Sequence, residues 1–109
     1  MSLRYVDPGP TRAEVDALEG PWVLEFGAPW CPHCKAAQAS LTAGLAQHPR
    51  VRLIRVEDGR GRPLGRSFQV KLWPTFIFLD QGREVARLVR PTGQAEMEAA
   101  LTQINPDQF

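Results

Sequence analysis

The sequence predicts an α/β fold in which a central mixed sheet of four to five strands is flanked by helices on both faces. Apolar strand-like runs alternate with helix-like segments along the 109 residues, which is typical of an α/β domain. The run 22–26 is apolar on both faces, as expected for a central strand that helices cover on both sides. Because the chain is 43% hydrophobic, it can bury one sizeable core but not two. We therefore predict a single domain over residues 1–109.

Nine elements are predicted in the order β-α-β-α-β-α-β-β-α. Their approximate spans are 3–6, 11–18, 22–26, 31–47, 51–56, 64–69, 76–79, 84–89 and 93–104. The first strand is expected at an edge of the sheet, since turn residues follow it directly. The pattern Thr11-x-x-Glu14 is a capping box that begins the first helix, and Gly20-Pro21 ends that helix.

Similar local signals define the later elements. Ala37, Leu41 and Leu45 recur at helical spacing and give the long second helix one apolar side. The dipeptide Gln81-Gly82 is expected to turn a hairpin between the last two strands. Thr92 or Gly93 caps the final helix, since its apolar face begins a few residues later.

The overall charge favours neither nucleic acid nor a membrane as a partner. The net charge is +1, and no stretch approaches the ~20 apolar residues of a membrane span. The N-terminal residues lack the apolar segment of a secretory signal. We therefore expect a cytoplasmic protein that works as a monomer.

Both cysteines of the chain lie in one motif, Cys31-Pro32-His33-Cys34, at the joint between a predicted strand and a predicted helix. A Cys-x-x-Cys in that position is typical of a redox site. The first cysteine lies where unpaired backbone N–H groups and the positive end of the helix dipole favour a thiolate. We expect no metal site, because His33 lies inside the two-residue spacer and cannot bind a metal readily beside both thiolates.

Glu25 is the exception in the apolar strand 22–26. A buried carboxylate costs free energy unless it is paired, protonated or functional. Glu25 therefore either points into a wet crevice without a role or relays a proton for the cysteine pair.

The sequence resembles the thioredoxin family over nearly its whole length. The matching stretches run from Val23 to Lys35, through Trp73-Pro74-Thr75, and into the Gly82 hairpin and the closing helix. The resemblance implies the thioredoxin fold, a thiol–disulfide oxidoreductase and no cofactor beyond a reversible Cys31–Cys34 disulfide. It also implies that Cys31 is the nucleophile and Cys34 the resolving cysteine.

The resemblance further assigns an acid and a substrate-binding surface. Glu25 falls where the family keeps a buried Asp, and Arg55 falls near the lysine that pairs with it. Pro74 is expected to follow a cis peptide bond. The residues expected to contact the substrate are Trp30, Pro32, His33, Trp73, Pro74, Thr75 and Arg90. The implied partners are disulfide-containing proteins and a recycling reductase or oxidase.

Three departures from the family are expected to matter. The dipeptide Pro32-His33 replaces the usual Gly-Pro and resembles that of the periplasmic oxidase DsbA, although the chain is too short for that family's inserted helical domain. Because His33 can donate to the thiolate or be cationic near it, we expect a more oxidising couple. Trp73 stands where thioredoxins usually have Ile, and Arg90 stands about where they keep a Gly. A second interpretation is a non-catalytic binding module of the same fold, or a redox sensor.

Overall fold

The computed structural model describes residues 4–106, so Leu3, the first residue of the predicted edge strand, lies outside the described part of the chain. The elements are α1 (Arg12–Asp16), β1 (Pro21–Gly27), α2 (Pro32–Gln47), β2 (Arg52–Glu57), α3 (Pro63–Ser67), β3 (Thr75–Asp80), β4 (Arg83–Val89) and α4 (Gln94–Ile104). None of the helices between residues 4 and 106 has the length and apolar content that crossing a membrane requires.

Four strands form one mixed sheet in the order β2-β1-β3-β4. Strand β1 pairs with β2 in parallel and with β3 antiparallel, and β3 pairs antiparallel with β4. The central position of β1 agrees with its apolar sequence, because a strand covered on both faces has no polar side. The motif that follows β1 is therefore placed at the middle of the sheet.

The expected strand before residue 7 is reduced to a single bridge in the described part of the chain. Val6 lies parallel to Val56; its N–H donates to the Arg55 carbonyl at 2.7 Å, and the Glu57 N–H donates to the Val6 carbonyl at 3.1 Å. Pairing stops there because Pro8 has no N–H to donate. The bridge nevertheless fixes the N-terminal segment beside β2.

The core consists of two apolar clusters, one on each face of the sheet. Val23 and Phe76 point toward α2 and α4, where Leu41 and Leu101 meet them. The alternate strand residues point to the opposite face, which α1 and α3 cover; they include Leu24, Phe26, Ile77 and Leu79. Each of these side chains contributes about 1.5–3 kcal/mol by leaving water.

Gly44 allows helices α2 and α4 to pack closely. A Cβ atom at Gly44 would lie 2.6 Å from Cδ1 of Leu101, which is closer than real Cβ contacts allow. The glycine therefore lets α4 approach α2. This packing holds α2, and the cysteines at its N-terminus, against the sheet.

Candidate active site

Cys31 occupies the N-cap position of α2. Its backbone is extended, with φ −78° and ψ 117°, and its Sγ accepts a hydrogen bond from the Cys34 N–H at 3.2 Å. Pro32 follows at the start of the helix, where its missing N–H and fixed φ cost nothing. The first-turn N–H groups and the helix dipole stabilise negative charge at this position, so they favour the thiolate of Cys31.

Cys34 lies deeper, with 1% of its surface exposed. Both cysteines are free thiols. Burial, with a further contribution from the hydrogen bond to Cys31, raises the pKa of Cys34 to about 11. Cys34 therefore keeps its proton at neutral pH. Across residues 4–106, no three His, Cys, Asp or Glu side chains gather closely enough to hold a metal ion.

Glu25 and Arg55 form a buried ion pair under α2. They stand directly opposite each other in the register of β1 and β2, and the guanidinium contacts both carboxylate oxygens, at 2.9 and 3.1 Å. Glu25 is 0% exposed and Arg55 is 5% exposed. The carboxylate therefore does not point into a wet crevice. Its partner is Arg55, which the resemblance placed near the lysine that pairs with the family's buried acid.

Tyr5, which was not among the predicted site residues, completes this network. Its hydroxyl donates to Oε2 of Glu25 at 2.8 Å and accepts from Nη2 of Arg55 at 2.8 Å, while the guanidinium lies 4.2 Å from the ring centre. Burial, with a further contribution from the charge of Glu25, raises the pKa of Tyr5. The phenol therefore stays protonated and acts as a donor to the carboxylate.

The outer side of the cysteine pair is aromatic. Trp30 is 68% exposed, and its ring meets that of Trp73 edge to face at 5.5 Å between centroids. The Trp73 indole N–H donates to Asp58 at 2.9 Å, a fixed orientation that sequence reasoning did not anticipate. Pro32 and His33 are exposed on the first turn of α2.

The loop that faces the cysteines contains the expected cis bond between Trp73 and Pro74. Arg90 holds this loop, since its N–H donates to the Pro74 carbonyl at 2.9 Å and its Nε donates to the Trp73 carbonyl at 2.7 Å. Thr75 is 1% exposed, and its hydroxyl donates to the Leu72 carbonyl at 2.6 Å. Arg90 and Thr75 were both expected to contact the substrate. In the structure their side chains donate hydrogen bonds to backbone carbonyls of the loop.

Comparison with known proteins gives a consistent result. A family profile described as Thioredoxin matches residues 9–103. The solved structure of reduced thioredoxin 2 from Pseudomonas aeruginosa PAO1 is 51% identical, with a TM-score of 0.87 and coverage of 98% of this chain and 99% of that chain. A crystal structure of the thioredoxin NaTrxh from Nicotiana alata is 26% identical, with a TM-score of 0.72 and coverage of 86% and 81%.

Curated relatives differ in length from this chain. A thioredoxin domain-containing protein from Theileria parva is 35% identical over 74 residues, which cover 67% of this chain and 34% of that protein. A thioredoxin from Aspergillus fumigatus is 26% identical over 86 residues, which cover 79% of this chain and 80% of that protein. The chain thus spans about a third of the first relative and most of the second.

Proposed function

Since this chain belongs to the thioredoxin family and has its fold, we propose that it is a thiol–disulfide oxidoreductase that exchanges disulfides with proteins. The observation that carries the proposal is the hydrogen bond from the Cys34 N–H to the Cys31 sulfur at the N-terminus of α2. It gives the two sulfurs different roles, one as a stabilised thiolate and the other as a buried thiol.

The first step is attack by the Cys31 thiolate on one sulfur of a substrate disulfide. A bond forms between Cys31 Sγ and that sulfur, and the other substrate sulfur leaves as a thiolate. The product is a mixed disulfide between Cys31 and the substrate. Because the helix end stabilises negative charge, Cys31 attacks rather than Cys34.

The second step releases the substrate. Cys34 loses its proton and attacks Cys31 Sγ, which breaks the mixed disulfide and leaves a Cys31–Cys34 disulfide in the protein. The substrate is thereby reduced by two electrons. An external dithiol reductase restores the two thiols, and the reverse sequence oxidises a substrate when an oxidase supplies the disulfide.

Glu25 is the group to which we assign the proton of Cys34. It is a buried carboxylate on the strand that leads into the motif, and general bases contribute about 10²–10⁴-fold to such steps. Arg55 keeps the carboxylate oriented through two hydrogen bonds.

An exposed apolar surface is the reason for proposing a polypeptide as the substrate. Trp30, Leu72 and Val89 are large hydrophobic residues that are exposed by 68%, 50% and 46%. Leu72 directly precedes Trp73, and Val89 pairs with Thr75 at the start of β3. Exposed apolar groups around one site are typical of protein-binding surfaces, and here they border the cysteines and the cis-proline loop.

The couple is further proposed to be more oxidising than that of a thioredoxin with Gly-Pro between its cysteines. His33 lies in the first turn of α2, and an imidazole near the sulfur favours the thiolate and hence the reduced form. Since its side chain is exposed, water screens this effect. Replacing the pair by Pro32→Gly with His33→Pro should lower the potential in glutathione by tens of millivolts, on the order of 1–2 kcal/mol. An unchanged potential would remove this part of the proposal.

Insulin reduction by dithiothreitol tests the activity. The parent protein should accelerate the reaction, whereas Cys31→Ser should leave only the uncatalysed rate. A parent protein that folds but gives only the uncatalysed rate would favour the second interpretation, a binding module or redox sensor whose thiols do not turn over.

A further inference from the structure

Tyr5 reaches the cysteines from a part of the chain that is distant in sequence. The bridge between Val6 and Val56 holds the N-terminal segment along β2, and the Tyr5 ring lies on the Arg55 guanidinium. The hydroxyl bonds the ion pair, and the Tyr5 side chain packs against the cluster of Ala28, Cys31 and Cys34.

Gly27 shows how closely the hydroxyl approaches the buried thiol. A Cβ atom on Gly27 would lie 2.6 Å from Sγ of Cys34 and 3.0 Å from the Tyr5 hydroxyl oxygen. Both atoms thus occupy the space beside the same Cα. Burial in this cluster is the main cause that raises the pKa of Cys34.

We propose that the Tyr5 hydroxyl relays the proton of Cys34 to Glu25 in the resolving step, which makes Tyr5 a catalytic residue of the exchange reaction. The inference rests on the proposed function. It adds a residue from outside the cysteine motif, the paired strands and the proline loop.

In the relay two protons move in one concerted step. The Cys34 S–H proton passes to the Tyr5 oxygen as the Tyr5 O–H proton passes to Oε2 of Glu25. The Cys34 sulfur then forms its bond to Cys31 Sγ, and the substrate thiolate leaves from Cys31. Tyr5 ends the step as a neutral phenol, Glu25 ends it protonated, and Arg55 keeps its positive charge.

The resting hydrogen bonds already orient this movement. Tyr5 donates to Glu25 and accepts from Arg55, so its proton points to the carboxylate, and its second lone pair is available to Cys34. Cys34 needs a base in order to attack at neutral pH, because a thiol whose pKa is about 11 is ionised in roughly one molecule in ten thousand at pH 7.

A cleft gives the proton an exit to solvent. A cavity of about 500 Å³ is lined by Tyr5, Arg55, Lys35 and Gln38, among others. Tyr5 and Arg55 thus connect the buried network to this cavity. Glu25, which is itself 0% exposed, can thus return its proton through Tyr5 between turnovers.

A two-phase reaction with dithiobis-nitrobenzoate tests the relay. The reduced protein releases one coloured thiolate when Cys31 attacks and a second when Cys34 resolves the mixed disulfide, so absorbance separates the two steps. Tyr5→Phe should slow the second phase at least about tenfold near pH 7 and change the first less than about twofold. Its second phase should rise steeply between about pH 6 and pH 9, as an unassisted thiol does, whereas the parent should depend less on pH.

Controls separate a relay from a structural role. Glu25→Gln should slow the same phase, and Ser67→Ala, which removes a hydroxyl that donates to the Leu64 carbonyl far from the cysteines, should change neither. Equal slowing of both phases in Tyr5→Phe, or an unchanged second phase with an unchanged pH profile, would overturn the inference. If Tyr5→Phe does not fold, a steep pH profile in the parent itself would overturn it. Absence of both phases in the folded parent would instead overturn the proposed function.

Discussion

The two sides of the cysteine pair are built from opposite chemistry. On the outer side, Trp30 is 68% exposed and stacks edge to face on Trp73. On the inner side, Glu25 is 0% exposed and is held by Arg55 and Tyr5 through charged hydrogen bonds. Aromatic groups meet solvent and polar groups are buried, which inverts the usual distribution.

This difference separates two tasks. In the proposed function the outer side offers apolar surface to a substrate, and the exposed Trp30 ring contributes little to stability because it remains largely in water. The inner side excludes water, so its charges and hydrogen bonds act strongly on each other and on the buried thiol. Changes on the outer side should therefore alter substrate binding, and changes on the inner side should alter proton transfer and folding.

The largest effect is expected where the two sides meet, at the sulfurs. Cys31→Ser should abolish catalysed insulin reduction, whereas Cys34→Ser should attack its substrate and then stop at a mixed disulfide. Mass spectrometry of the protein after mixing with a peptide disulfide should show the adduct in Cys34→Ser. An adduct on Cys34 in the Cys31→Ser variant at a comparable rate would mean that the two sulfurs are equivalent.

Removing the inner cation should cost far more stability than removing the outer aromatic ring. Arg55→Met leaves a buried carboxylate without its partner, which typically costs about 3–5 kcal/mol. Trp30→Ala removes an exposed ring and one edge-to-face contact, so we expect a loss of about 1 kcal/mol or less. Urea unfolding of both variants measures the difference. Equal losses would show that the ion pair contributes no more than a surface contact.

The buried thiol should make the reduced protein sensitive to alkali. The pKa of Cys34 is raised from an ordinary 9.0 to about 11, chiefly by burial, so the folded protein holds this proton more tightly than the unfolded chain. Its stabilising contribution is complete below about pH 9 and is lost as the pH rises through about 11, by roughly 2–3 kcal/mol in all.

Unfolding of the reduced parent and of Cys34→Ala across this range isolates that contribution. Tyr5 also has a raised pKa and destabilises both proteins in the same direction at high pH. The parent should therefore lose more stability than the variant, and parallel curves would contradict a raised thiol pKa.

The smallest effect concerns the loop of the outer side. Arg90 has φ +47°, in the left-handed region that favours glycine, and its side chain donates to the Trp73 carbonyl. Arg90→Ala loses that hydrogen bond and keeps the strain, whereas Arg90→Gly loses the bond and relieves the strain. Thermal unfolding should find the Gly variant more stable than the Ala variant by about 1 kcal/mol. The reverse order would mean that the backbone at this position is unstrained.

The sequence predicted the cysteine motif, the cis bond and the Glu25–Arg55 pair better than the rest of the site. The cysteine motif and the Trp73–Pro74 cis bond depend on a few contiguous residues, and their patterns were sufficient. Glu25 stood out because a charge interrupts an apolar strand, and its pairing with Arg55 follows once β1 and β2 lie in parallel register. These features are local, or follow from the order of the strands.

Tyr5 could not be predicted because its role depends on a distant contact. It lies 20 residues from Glu25 and 50 from Arg55 in the chain, and one bridge at Val6 brings it there. One signal was available: Gly27 ends a central strand, and glycine inside a strand indicates that another group approaches closely. That signal identifies the position, whereas only the structure shows which side chain fills it.

The reduction potential of the parent protein in a glutathione buffer tests the central claim most directly. A cysteine pair that cycles between dithiol and disulfide should titrate as one two-electron couple, between about −270 and −120 mV for this type of site. Tryptophan fluorescence can follow it, because Trp30 directly precedes Cys31 in the chain. A single transition in that window is the expected result. Two independent one-thiol reactions with glutathione, and no intramolecular disulfide, would contradict an oxidoreductase in which Cys34 resolves what Cys31 begins.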